Sequence, residues 1–120
     1  EYYYYDHLAG RLGVSLTAAL IERDILAARD GVFLLTDSGE GWLIEFGIPV
    51  PTLRTGHRPL TRICIDWSEQ LPHLAGALGA ALTERLFELE WVRRSPSTRA
   101  VQVTEAGYAN LVSRLGLDMH

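Results

Sequence analysis

The 120-residue sequence predicts an α+β fold, mostly helical, in which two tandem repeats of helix, β-hairpin and helix pack into one domain. Three observations lead there. Laying residues 7 to 26 on residues 73 to 92 without a gap gives ten identities, at His7, Leu8, Ala9, Gly10, Leu12, Gly13, Leu16, Thr17, Leu20 and Glu22, where chance at ordinary residue frequencies gives roughly one or two. Each copy then passes from a helical apolar stripe to a hairpin pattern. After a two-residue length difference the match resumes, with Phe33 to Gly39 falling on Val101 to Gly107 and sharing a Thr-x-x-Gly signal. A repeat of this kind dictates architecture. The boundaries it suggests are 5–48 and 71–117, joined by a linker segment 49–70, within a single domain 1–120.

The elements follow in order. Leu8, Leu12, Leu16, Ala19 and Leu20 step by three and four, as do Leu74, Leu78, Leu82, Leu86 and Leu89, so each copy opens with a helix that carries one apolar stripe. Gly13 followed by Ser15 suggests that the first copy breaks into two short helices with Ser15 as an N-cap, while Ala80 and Ala81 let the second run on. In copy one Leu26–Ala28 then meets Val32–Leu35 across Asp30-Gly31, a pair suited to the left-handed backbone of a tight turn. In copy two Trp91–Arg94 meets Arg99–Val103 across a looser turn of Ser95–Thr98. Thr36 and Thr104 stand where a helix N-cap belongs, with Asp37 and Glu105 beside the positive end of the helix dipole. Trp42, Leu43 and Phe46 supply the buried face of the last helix in copy one, and Leu111, Val112 and Leu115 do so in copy two.

Composition sets bounds on function. With 48% apolar and 22% charged residues, the chain matches an average globular domain and is long enough to bury roughly two-thirds of its unfolded surface. The single cysteine, Cys64, excludes an internal disulfide and an all-cysteine zinc site. No apolar run reaches the ~18 residues of a membrane span, and the opening Glu1–Asp6 is unlike a signal peptide, so a cytoplasmic protein is expected. The absence of an initiator Met and a start that runs straight into a patterned segment suggest a domain from a longer protein. Net charge is −4, made of −5 over residues 1 to 50 and +1 over the rest. Such a balance makes a poor polyanion binder by itself.

Helix, two-stranded wing with a basic tip, then Leu/Val-Thr-x-x-Gly opening another helix resembles the second half of a bacterial winged helix-turn-helix. The stretch Leu8–Ser15 is also similar to the start of a helix-turn-helix, where Gly-Val-Ser forms the turn before the recognition helix. Tyr5–Gly13, Cys64–Glu69 and Pro72–Ala81 together resemble the C-terminal extension of one branch of the ArsR family of transcriptional regulators, over nearly the whole chain. The resemblance implies two winged-helix-like units in a regulator that works as a homodimer, with DNA as the partner and a preceding winged-helix domain doing most of the reading. It implies a role for this part in dimerisation and effector response. The family's Cys-x-Cys metal run has no counterpart here.

Candidate site residues fall in two groups. A recognition helix needs Arg, Lys, Asn or Gln near its start to reach base edges; copy one offers Leu16–Ala19, and copy two offers Leu82–Arg85, where Arg85 alone suits. Arg93, Arg94 and Arg99 cluster at the second hairpin as in wings that press on the DNA backbone, which makes Arg85, Arg93, Arg94 and Arg99 the DNA-backbone candidates. The second group is Cys64, Asp66, Trp67 and His73, with His7, as an effector or metal site; these are ligand types for a transition metal, although the spacing is incomplete. The simpler reading of Cys64 is a buried strand residue within Ile63-Cys64-Ile65, and the simpler reading of His7 and His73, which occupy equivalent places in the two copies, is a hydrogen bond to a helix terminus. A small-molecule or metal-binding module with its site between the repeats is therefore the alternative function. Trp42, Phe46, Trp67, Phe87 and Trp91 read most simply as core, and become an effector pocket only around a cavity left between the units. No phosphate loop, nucleophile elbow or His-Glu-x-x-His occurs, so neither enzyme activity nor a cofactor is expected.

Overall fold

The two copies build the same elements from residues that differ at more than half their positions. The computed structural model describes the backbone of residues 3–4, 7–8, 10–65, 72–95 and 101–117, and the side chains of 12–62, 74–95 and 101–117. The first repeat runs β1 (Tyr3–Tyr4), β2 (His7–Leu8), α1 (Gly10–Glu22), β3 (Leu26–Arg29), β4 (Val32–Leu35) and α2 (Asp37–Phe46). A short α3 (Val50–Arg54) follows. Strand β5 (Arg62–Ile65) then leads into the second repeat, which runs β6 (Pro72–Ala75), α4 (Gly76–Glu88), β7 (Val92–Arg94), β8 (Val101–Val103) and α5 (Glu105–Leu115). Each of the four strand pairs is a separate two-stranded antiparallel sheet. The architecture is thus α+β, with two tandem winged-helix-like repeats packed into one domain.

The wings form as their sequences require. Asp30 and Gly31 both take positive φ, 51° and 76°, the backbone of a type I′ turn whose twist matches the strands it joins. The register Arg29↔Val32 to Leu26↔Leu35 follows. In the second wing the register is Val92↔Val103, Arg93↔Gln102 and Arg94↔Val101, and the tip, Arg99 included, lies outside the described residues.

Both wings end in one device. Thr36 and Thr104 hold extended backbone and accept hydrogen bonds from Gly39 N and Gly107 N, each at 2.9 Å. The same hydroxyls donate backwards, Thr36 to Asp24 O and Thr104 to Glu90 O. Asp24 and Glu90 are themselves the left-handed residues (both φ 58°) that turn each chain out of α1 and α4. One hydroxyl therefore caps a helix and pins the loop before the wing. Thr36→Ala and Thr104→Ala should each destabilise the protein by about 1 to 2 kcal/mol, read as a fall in the midpoint of urea unfolding.

A single core runs through both repeats, from Leu12, Leu16 and Leu20 through Leu43 and Ile48 to Leu78, Leu82, Leu86, Leu111 and Leu117. The repeats interlock: α1 packs against β6, α4 packs against β2, and β2 lies beside β6. Thr17 sits in this seam, 4% exposed. Its hydroxyl donates to Gly13 O at 2.8 Å and accepts from Leu74 N at 2.9 Å, which ties α1 to the strand of the other repeat.

Three expectations need correction. Helix α1 is unbroken from Gly10 to Glu22; Gly13 is buried in the seam, its carbonyl is satisfied by Thr17, and Ser15 is an ordinary helical residue. Val112 is 41% exposed, like its counterpart Ile44 at 47%. Helix α5 faces the core through Gly107, Leu111 and Leu115, a step of four that leaves Val112 about 100° round the helix. Leu89 closes α4 as its C-cap and is only half-buried, as are Trp42 and Phe46. The segment 49–70 holds α3 and β5. Its Pro59 and Leu60 carbonyls accept hydrogen bonds from Ala77 N and Leu78 N at 2.9 and 2.8 Å. They thereby replace a side-chain cap that Ala75 cannot supply.

Candidate functional site

A helix that reads DNA must show its first turns to solvent. Helices α1 and α4, each preceding a wing, do the opposite. Leu16, Thr17 and Ala19 of α1 and Leu82 and Thr83 of α4 are all buried, leaving Ala18 and Glu84 as the exposed residues of these stretches. Thr83 donates to Gly79 O at 2.8 Å, as Thr17 does to Gly13 O. These two hydroxyls, together with Gly13, Leu16, Leu74, Gly79 and Leu82, line the tight contact between the repeats. The Gly13–Ser15 stretch, expected to form the turn of a helix-turn-helix, lies inside α1. The N-terminus of α4 is closed as well, by the carbonyls of Pro59 and Leu60.

The wing arginines are separated from Arg85. Arg93 and Arg94 are exposed on β7 and point to opposite faces of the two-stranded sheet. Arg94 lies with its guanidinium 5.2 Å from the centre of the Phe87 ring. Both line a broad groove of about 980 Å³ with Phe87, Glu90, Thr104 and Glu105, so two carboxylates share the surface with two cations. Arg85 faces elsewhere: its Nε donates to Phe46 O at 2.7 Å, and its Nη1 lies 3.6 Å from Glu88. That bond satisfies a terminal carbonyl of α2 and places a positive charge at the negative end of the helix dipole. Arg99 lies outside the described residues.

The wings differ in the face they turn outward. In the second, Arg93 is paired with Gln102. In the first, the equivalent positions are Ala27 and Leu34, followed by Arg29 and Val32, with Leu34 48% and Val32 50% exposed.

For the second candidate group the structure gives strand positions alone. Cys64 and His73 are direct partners in the β5–β6 ladder, and β2, which carries His7, lies against β6. The side chains of Cys64, His73 and His7, and Asp66 and Trp67 altogether, lie outside the described residues. Among the described residues no group of three or more His, Cys, Asp or Glu is placed to hold a metal.

One cluster that reads most simply as core in the sequence lines a cleft. Trp42 and Phe46 stack at 5.0 Å with 19° between their planes, and Phe46 meets Trp91 at 5.5 Å. Arg114 places its guanidinium 5.9 Å from the Trp91 ring centre, and together with Trp42, Glu45 and Phe46 it lines a cleft. The aromatics alone suggested core. The signal that was available is that Trp42 and Phe46 have Asn110 and Arg114 as their counterparts in the other repeat.

No protein-family model and no solved structure matches the chain. Over 103 residues it is 43% identical to YdfF of Bacillus subtilis strain 168, whose name describes an uncharacterized HTH-type transcriptional regulator. The chain resembles one part of a helix-turn-helix regulator. The match takes in 86% of this chain and 46% of YdfF, so the chain spans less than half the length of that relative. No described helix is long and apolar enough to cross a membrane.

Proposed function

We propose that the chain is the C-terminal domain of a bacterial ArsR-type transcriptional regulator, present in the cytoplasm as a homodimer, and that it serves dimerisation and effector response while DNA is read mainly by an N-terminal winged-helix domain. The observation that carries this reading is the burial of Leu16, Thr17, Leu82 and Thr83, the positions from which recognition helices would reach bases. The duplicated units, 5–48 and 71–117, have turned those positions into a seam between themselves. The likeness to YdfF supports a regulator, and its extra length supports a further domain. An effector acts through such a domain by binding two conformations unequally.

The wing has a direct test. Glu90 and Glu105 beside Arg93 and Arg94 weaken its attraction for phosphate, and the whole chain carries −4. Replacing Arg93, Arg94 and Arg99 together by Gln in the full-length protein should leave operator affinity and its dependence on salt unchanged. A slope of log K against log salt that becomes shallower by about 0.9 for each lost contact would place the wing on the DNA backbone.

A metal-binding or small-molecule module between the repeats is the second reading, favoured by one observation, the direct opposition of Cys64 and His73 in the β5–β6 ladder. Directly opposed residues of an antiparallel pair share one face of the sheet, which is where two ligands of one ion belong. Cobalt titration distinguishes the readings: a thiolate charge-transfer band that vanishes in Cys64→Ser and His73→Ala supports the module, and a spectrum without that band removes it.

A further inference from the structure

Several positions where the two repeats diverge gather in one place. Laid on the other copy, Trp42, Phe46 and Trp91 stand opposite Asn110, Arg114 and Ile25, while the neighbouring core positions Leu43 and Leu111 both keep leucine. Packing therefore constrains the leucines alike in both copies and does not require the aromatics in both. Yet the structure brings the divergent residues together, Trp42 on Phe46, Phe46 on Trp91, and Arg114 over Trp91. The cleft lined by Trp42, Glu45, Phe46 and Arg114 has a volume of about 330 Å³. That lies at the small end of the range for small-molecule sites. Trp42 and Phe46 stand face to face with 19° between their planes, and Arg85 lies over the Phe46 ring, so Phe46 offers the cleft a ring edge; both residues are half-buried. Arg114 and Glu45 are exposed, and among the described residues neither has an ion-pair partner. Arg85, on the far side of Phe46, is already bonded to Phe46 O.

From this arrangement we infer that the cleft binds a planar aromatic carboxylate that also carries a hydrogen-bond donor, the chemistry of an aminobenzoate. The ring lies against Trp42 and Phe46, the carboxylate pairs with Arg114, and the donor is accepted by Glu45. Arg114 presents a fork of N–H donors that matches a carboxylate, and edge-to-face contact with the stacked pair favours an aromatic ligand over an aliphatic one of equal size. Binding stands on this geometry alone; the further statement that the ligand is the regulator's effector rests on the function proposed above.

The probe is 4-aminobenzoate, followed by the indole Nε1–H signals of the 120-residue chain in proton–nitrogen NMR, with the Trp42 signal assigned by its loss in Trp42→Phe. The Trp42 signal should move saturably at millimolar concentrations. Arg114→Gln, which alters an exposed side chain and should lower the melting temperature by no more than a few degrees, should weaken binding at least about tenfold. Benzamide, which lacks the charge, should bind the unaltered chain at least about tenfold more weakly. Glu45→Gln should weaken 4-aminobenzoate but not benzoate. A Trp42 signal that does not move, or equal affinity in Arg114→Gln, overturns the site. Operator affinity of the full-length protein measured with and without 4-aminobenzoate reads the effector role separately: binding at Trp42 with no change in operator affinity removes the effector role and leaves the site.

Discussion

Gly107→Ala should destabilise the protein by about 3 kcal/mol or more. A Cβ at Gly107 falls 1.9 Å from Trp91 O, and at Gly39 it falls 2.2 Å from Ile25 O; in both cases the obstacle is backbone. Neither carbonyl can withdraw freely, since Trp91 O accepts from Thr104 N at 2.9 Å and Ile25 O from Thr36 N at 3.1 Å. Relief of the clash would therefore pull the capping threonine away from the helix it starts. At about 4 °C per kcal/mol for a chain of this size, thermal unfolding should fall by about 10 °C or more in either variant, and further in the pair. Gly41→Ala is the control. That exposed glycine lies in the same helix with nothing within 4 Å of an added Cβ, so alanine there should stabilise by about 0.5 to 1 kcal/mol. A small, equal effect in all three variants would show that the helices do not approach the loops before the wings as closely as described.

Leu43→Ala and Leu111→Ala should each cost about 2 to 5 kcal/mol, the lost transfer energy plus a cavity. Both residues have no exposed surface and occupy the same position in their repeats. More informative than the size is the shape of the transition. Because one core runs through both repeats, either substitution should lower one cooperative unfolding curve, with fluorescence and circular dichroism coincident. Two separated transitions, with the Leu111 variant moving only one of them, would mean that the repeats fold as independent units.

Much of this fold could be read from the residues because local chemistry and tertiary packing agree. Asp30-Gly31 admits few backbones other than the turn it forms, and a threonine three residues before a glycine announced both caps. The apolar stripes placed α1 and α4 for the same reason, since Leu12, Leu16, Leu20, Leu78, Leu82 and Leu86 are all core. The failures came where a distant partner decides. Gly13 looked like a break because nothing nearby in sequence shows that Thr17 would satisfy its carbonyl and receive Leu74 N from 57 residues away. The bond of Arg85 to Phe46 O, which spans 39 residues, was likewise invisible in the sequence. The pairing of Cys64 with His73 was equally hidden, as it depends on a register that neither strand sets alone. Sites suffer most from this, because each draws its groups from several elements: the cleft at Arg114 joins α2 of one repeat to α5 of the other.

The central claim is that these paired units have given up reading bases. Binding of operator DNA by the 120-residue chain, set beside binding by the longer protein that contains it, tests this most directly. The long form should discriminate its operator from random sequence, while the 120-residue chain should bind both weakly and equally. Sequence-selective binding by the 120-residue chain at an affinity near that of the long form would contradict it.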